Sequence, residues 1–158
     1  MEKSNKVLIF DTDVIINVLA QETETISGKP LWAAPLKLLE QVEQGRVRGL
    51  ISITTLLEIR YLMRRKKEYS EDEIKSYVNK LLTLLEIIVP DEIALLKANE
   101  LQTSESLDPF DAILLAVAIS VESSRLISRD KSFLRISSKY ISTSTPEKIL
   151  SPSNNFRQ

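Results

Sequence analysis

Short apolar runs alternate along this chain with longer stretches of helical periodicity, and that alternation limits what it can fold into. The runs lie at residues 7–10, 50–53, 87–89 and 126–128. Each is too brief for a helix and reads as a strand buried on both faces, as in parallel sheets. Helical patterns fill the gaps. Residues 14–19 and 31–44 fall between the first two runs, and the second pattern stops at Gly45, a plausible C-terminal cap. Thr55-Leu-Leu-Glu58 matches a capping box and predicts a helix to about Arg65. Ser70-Glu-Asp-Glu73 is a second box and predicts a helix through Leu85. Residues 92–102 are helical, and Asp108 with Pro109 makes an N-cap and first helical position before the apolar stretch 112–121. That stretch is apolar nearly all round, which predicts a central buried helix. Residues 140–142 are a fifth strand candidate. Strands alternating with helices predict an α/β domain around a mostly parallel sheet of four to five strands.

The chain has 158 residues, enough for one domain with a sizeable core. We expect that domain to span residues 1–150. Residues 151–158 carry Pro, Ser and Asn with little to bury, and are expected to form a flexible tail. The polar N-terminus is too short for a signal peptide, and the longest apolar stretch, 112–119, is too short for a membrane span. Together with the absence of cysteine, this makes a cytoplasmic protein away from any membrane the expectation. The net charge of −1 favours no class of partner.

The chain also lacks histidine. Thiol nucleophiles, imidazole bases and soft metal sites are thereby excluded. Acids stand instead at the ends of the predicted elements. Asp11 follows the first strand, Glu58 lies in the first turn after the second, Asp111 opens the apolar helix, and Asp130 follows the fourth strand. Sites in open α/β sheets form beyond the carboxyl ends of the strands, so all four can reach one edge. Converging carboxylates would suit Mg²⁺ or Mn²⁺. Each acid also has a plainer reading: Asp11 and Asp130 as N-caps, Glu58 as half of a capping box, Asp111 as a partner of the helix dipole.

Four segments resemble the ordered motifs of PIN-domain nucleases. They are Phe10-Asp-Thr-Asp-Val-Ile-Ile16, Ile53-Thr-Thr-Leu-Leu-Glu-Ile59, Leu107-Asp-Pro-Phe-Asp-Ala-Ile-Leu-Leu-Ala116 and Leu126-Ile-Ser-Arg-Asp-Lys-Ser-Phe133. The closest type is the VapC toxin of toxin–antitoxin pairs. The resemblance implies a three-layer α/β/α sandwich, and Asp11, Glu58, Asp111 and Asp130 as metal-binding catalytic acids. It makes Thr12 and Ser128 supporting hydroxyls and Asp108 a supporting acid, and leaves Asp13 without a firm role. The implied activity is metal-assisted hydrolysis of single-stranded RNA. The implied partners are a small antitoxin, whose tail would occupy the acidic groove, and a second copy of the chain, docked through apolar residues of 31–44 and 70–85.

A nuclease must hold a phosphate backbone. Arg60, Arg64, Arg65, Lys66 and Lys67 form the densest basic cluster, readable as an RNA track or as cations favourably placed at a helix C-terminus. Arg129 is a further candidate, for phosphate or for pairing with the acids. Trp32 and Tyr61 can stack on bases, although isolated aromatics more often pack inside. Three other readings stay open: an RNA-processing nuclease of the same family without an antitoxin, an RNA-binding module without activity, and a phosphatase. The last rests on Asp11-Thr-Asp-Val14, which looks like the signature of haloacid-dehalogenase-type phosphotransferases, with Asp11 as nucleophile and Asp13 as acid. Asp108 and Asp111 lack that family's late acidic spacing.

Overall fold

The computed structural model describes residues 6–151. The expected tail falls almost wholly outside the described residues. Five parallel strands form one sheet: β1 (Val7–Phe10), β2 (Arg48–Ser52), β3 (Glu86–Ile88), β4 (Ser124–Ile127) and β5 (Ser142–Ser144). Their spatial order is β3-β2-β1-β4-β5. The chain steps outward from β1 to β3, then returns to lay β4 against the free side of β1.

Eight helices complete the described residues: α1 (Thr12–Leu19), α2 (Ala33–Glu43), α3 (Ile53–Arg65), α4 (Glu71–Leu84), α5 (Glu92–Ser104), α6 (Pro109–Ser120), α7 (Lys131–Ser137) and α8 (Pro146–Leu150). Side chains alternate across a strand, and the central strands use this to feed two cores. Leu8, Phe10, Ile51 and Ile127 pack against α1, α2, α3 and α4 on one face. Val7, Ile9, Leu50 and Leu126 pack against α5, α6 and α7 on the other. The result is the expected α/β/α sandwich. α6 buries Ala112 and every residue from Leu114 to Ala118, as its apolar composition requires. Among the described residues no helix is long and apolar enough to cross a membrane.

Two glycines are set by geometry. Gly45 follows α2 with φ +71°, the left-handed conformation of a helix terminus. Gly49 in β2 admits no side chain, since a Cβ there would stand 2.7 Å from Leu85 and 2.8 Å from Val42.

Several expectations need correction. Thr55 caps nothing. β2 ends at Ser52, whose hydroxyl accepts the Thr54 N–H and starts α3 at once. Thr55 and Glu58 thus lie inside the helix, and the capping-box reading of Glu58 is withdrawn. The Ser70–Glu73 box is real, with both reciprocal bonds formed. β4 begins at Ser124 and ends at Ile127, leaving Ser128 beyond the strand. The fifth strand lies two residues later than expected. α8 had no counterpart in the sequence reading, although Thr145 and Pro146 are the same cap-and-proline signal that marks α6.

Candidate functional site

Strand order reverses between β1 and β4, and their carboxyl ends open a crevice of the kind that holds ligands in α/β sheets. Asp11 is the first residue past β1. Its backbone N–H extends the ladder to Ile127 at 2.9 Å, which fixes its position. Its carboxylate is then held from both sides. Oδ1 accepts the Thr12 N–H at 2.7 Å as the N-cap of α1, and Oδ2 accepts the Ser128 hydroxyl at 2.7 Å. The same Ser128 Oγ accepts the Asp130 N–H at 3.1 Å. Ser128 is fully buried and links the two acids.

Asp111 arrives from the opposite layer. Asp108 caps α6 by accepting the Asp111 N–H at 2.9 Å, which places Asp111 in the first turn. Glu58 comes from the second turn of α3. A small cleft is lined by Asp11, Thr12, Thr54, Thr55, Glu58, Phe110, Asp111 and Leu114. Three of the four expected acids therefore meet there. Asp130 does not line it. It caps α7 through the Phe133 N–H at 3.0 Å and borders the cleft, its charge acting on Asp111 and Asp13. Asp108 stays exposed at its cap.

The electrostatics are those of crowded acids. Burial, then the charge of Asp13, pushes the Asp11 carboxyl up to about 8, against the lowering effect of its Ser128 bond. Burial, then the charges of Asp108, Asp130 and Glu58, pushes Asp111 up to about 7. Among the described residues none of Asp11, Glu58 and Asp111 forms an ion pair with a basic side chain. Such a cluster lacks a counter-charge. Its donors are hard oxygens, which suit Mg²⁺ or Mn²⁺. No three acidic side chains among the described residues stand close enough to enclose a cation alone.

Arg129 is placed otherwise than a phosphate ligand requires. Its backbone N–H donates to Asp13 Oδ2 at 2.9 Å. Its guanidinium donates to Asn17 Oδ1 at 2.6 Å, to the Leu31 carbonyl at 2.7 Å, and to both oxygens of Glu147 at 3.0 and 2.6 Å. Four of its five side-chain donors are committed inside the protein, so the RNA-binding expectation for Arg129 is withdrawn; its partner is Glu147 on α8 and not the cleft acids. Burial alone would raise Glu147, but the Arg129 bonds outweigh it and hold that carboxyl low. Asp13 is half-buried, desolvation raises its carboxyl, and its buried Oδ1 has no partner among the described residues.

The basic cluster is divided. Arg64 pairs with Glu71 at 2.5 Å and Lys67 with Glu22 at 2.6 Å. Arg65 and Lys66 are exposed and Arg60 half-buried, with no ion pair among the described residues. Trp32 is half-buried at the start of α2. Tyr61 is exposed, so packing does not account for it. Sequence reasoning missed Phe110, Asn17 and Glu147. Phe110 lies within the Asp-Pro-Phe-Asp segment but was read for its acids alone.

Comparison with known proteins agrees with this fold. A family model described as the PIN domain matches residues 8–139. No curated protein matches the sequence. Among solved structures, VapBC2 from Rickettsia felis, bound to a DNA fragment from its promoter, aligns with a TM-score of 0.68 at 19% identity, over 88% of this chain and 98% of that one. FitAcB from Neisseria gonorrhoeae aligns with a TM-score of 0.64 at 16% identity, over 89% and 98%. VapBC-1 from nontypeable Haemophilus influenzae gives 0.61 at 17% identity, over 89% and 98%. At these identities the likeness is one of fold.

Proposed function

The chain belongs to the PIN-domain family, and from that premise we propose that it is a divalent-metal-dependent ribonuclease that hydrolyses single-stranded RNA as the toxin of a toxin–antitoxin pair. PIN domains are generally nucleases and typically use divalent metals. The observation that carries the reading here is the convergence of Asp11, Glu58 and Asp111 at the β1–β4 crevice without a basic partner.

In this reading Asp11, Glu58 and Asp111 hold the ion, with Asp130 acting from the border. A bound divalent cation supplies Lewis-acid stabilisation and a water of lowered pKa. The chain's own residues supply the positioning. Thr12 and Ser128 fix both oxygens of Asp11, so the carboxylate meets its ligand without reorganisation. Asp108 orders the turn that presents Asp111. Arg65 and Lys66, at the far end of α3 from the cleft, offer exposed cations to the RNA backbone.

The phosphatase reading is weakened, because the matching family model is that of the PIN domain and Asp13 does not line the cleft with Asp11. The proposed partner is a small antitoxin that inserts a basic side chain among the cleft acids. The relatives described above as VapBC structures make that partner reasonable, and an RNA-processing nuclease without an antitoxin is the other reading within the family.

Cleavage of a labelled single-stranded RNA by the purified protein tests this. We expect cutting in Mg²⁺ or Mn²⁺, none in EDTA, and a loss of about a hundredfold or more in Asp11→Asn. Absence of cutting together with absence of Mn²⁺ binding by calorimetry would overturn the proposal in favour of a non-catalytic module.

A further inference from the structure

We infer that Phe110, in the lining of the acidic cleft, and Tyr61, one turn along α3 from the cleft acid Glu58, are base-stacking platforms, and that they make unpaired bases a requirement for binding. The inference rests on the nuclease reading and specifies how that site selects its substrate.

Phe110 lines the cleft beside Asp11, Glu58 and Asp111, yet half of it is exposed to solvent. It belongs to neither apolar core, although Ala112, Leu114, Leu115, Ala116 and Ala118 of the same helix are buried in one. The fold therefore closes without its ring. Tyr61 is 58% exposed, stands outside both cores, and makes no hydrogen bond among the described residues. It follows Glu58 by three positions on α3, hence on the same face. Arg65 follows Glu58 by seven, again on that face, and is exposed with no ion pair among the described residues. Along one side of α3 the sequence thus presents an acid, a ring and a cation. Across the cleft, α6 presents Phe110 beside Asp111, and α3 and α6 contact each other directly.

A phosphate seated at the acids would have a flanking nucleoside beside Phe110, and a strand continuing along α3 would meet Tyr61 one turn beyond Glu58. Aromatic faces stack on any base and discriminate little between sequences, so the platform selects for exposed bases and not for a particular one. A duplex turns its bases inward and offers neither ring a partner. The aromatic pair thereby supplies the strand selectivity that carboxylates, which address only the phosphate, have no means to provide.

The test uses the full chain carrying Asp11→Asn, in Mg²⁺, so that binding is read without cleavage. Fluorescence anisotropy follows a labelled oligouridine and, separately, a labelled RNA duplex. Phe110→Ala and Tyr61→Ala should each weaken single-strand binding about tenfold. Phe110→Trp should retain it, and the duplex should bind the parent at least about tenfold more weakly than the single strand. Equal affinity of the parent and both alanine variants overturns the inference, as does tight duplex binding. A change of molecular mass on replacing either aromatic also overturns it, by assigning the ring to contact between copies. No binding of either RNA by this parent, together with no cleavage of either by the unsubstituted chain, overturns the nuclease reading and the inference with it.

Discussion

Asp11 and Asp111 are acids the fold keeps protonated far above their ordinary range, and this makes stability depend on pH and metal. An unfolded aspartate ionises near 3.8, whereas Asp11 holds its proton to about 8 and Asp111 to about 7. Between those values the folded chain binds more protons than the unfolded one. Stability is therefore fully present below pH 4 on this account and is lost as pH rises through 7 and 8. The metal-free protein should melt lower at pH 8 than at pH 5, by roughly 5 °C or more. Mn²⁺ at pH 8 should recover the loss, because the ion binds the ionised carboxylates of the folded state. Asp11→Asn should flatten the metal-free dependence and blunt the recovery. Differential scanning calorimetry across that range decides; a melting temperature that rises from pH 5 to 8 without metal would contradict the electrostatic account.

Between elements, one side chain joins segments that the sheet alone leaves separate. Arg129 follows β4, and its guanidinium reaches α1 through Asn17, the loop before α2 through the Leu31 carbonyl, and α8 through Glu147. The network runs on, since Asn17 donates to Glu22 at 3.0 Å and Glu22 pairs with Lys67 beyond α3. Arg129 lies between Ser128 and Asp130, so its anchoring fixes the turn that holds Asp11. Arg129→Ala should cost about 3 kcal/mol in urea denaturation, because it strands a partly buried carboxylate and several acceptors. Arg129→Lys should recover less than half, since an ammonium cannot reproduce the planar fork. An alanine variant within about 0.5 kcal/mol of the parent would show that the network adds nothing measurable.

At the scale of the whole molecule, apolar surface is left over. Val89, Ile93 and Leu96 are 72%, 77% and 60% exposed at and just before α5, whose buried face is Ala94, Ala98 and Leu101. That exposed stripe is a stronger candidate for contact with a second copy than α2 and α4, the helices singled out by sequence. Of the residues on those two, only Leu82 is a large apolar side chain that is clearly exposed. We expect a dimer by light scattering, and a monomer after Ile93→Glu, which would bury a charge in the interface. A parent that remains monomeric at high concentration would leave the stripe without that role.

The sequence by itself determined the elements and the acids. Four of the five strands were legible because a buried parallel strand is a continuous apolar run, and α4 and α6 because their caps are written in adjacent residues. The limits of local signal also show. Thr55 to Glu58 has the form of a capping box, yet the helix starts at Ile53, because Ser52 ends its pairing with Ile88 and caps the helix itself. Thr55 was thereby misread as an N-cap, Phe110 was overlooked, and the pairing of Arg129 with Glu147 was not foreseen. These are properties of distance in space. Ser128 holds Asp11 across 117 positions of sequence, and Arg129 reaches Asn17 across 112. Periodicity and capping report on neighbours within a few residues, so they locate acids at strand ends without ordering the strands. Only the sheet order, with β4 returning to lie against β1, decided that Asp11, Glu58 and Asp111 would share a cleft and that Asp130 would stand at its border.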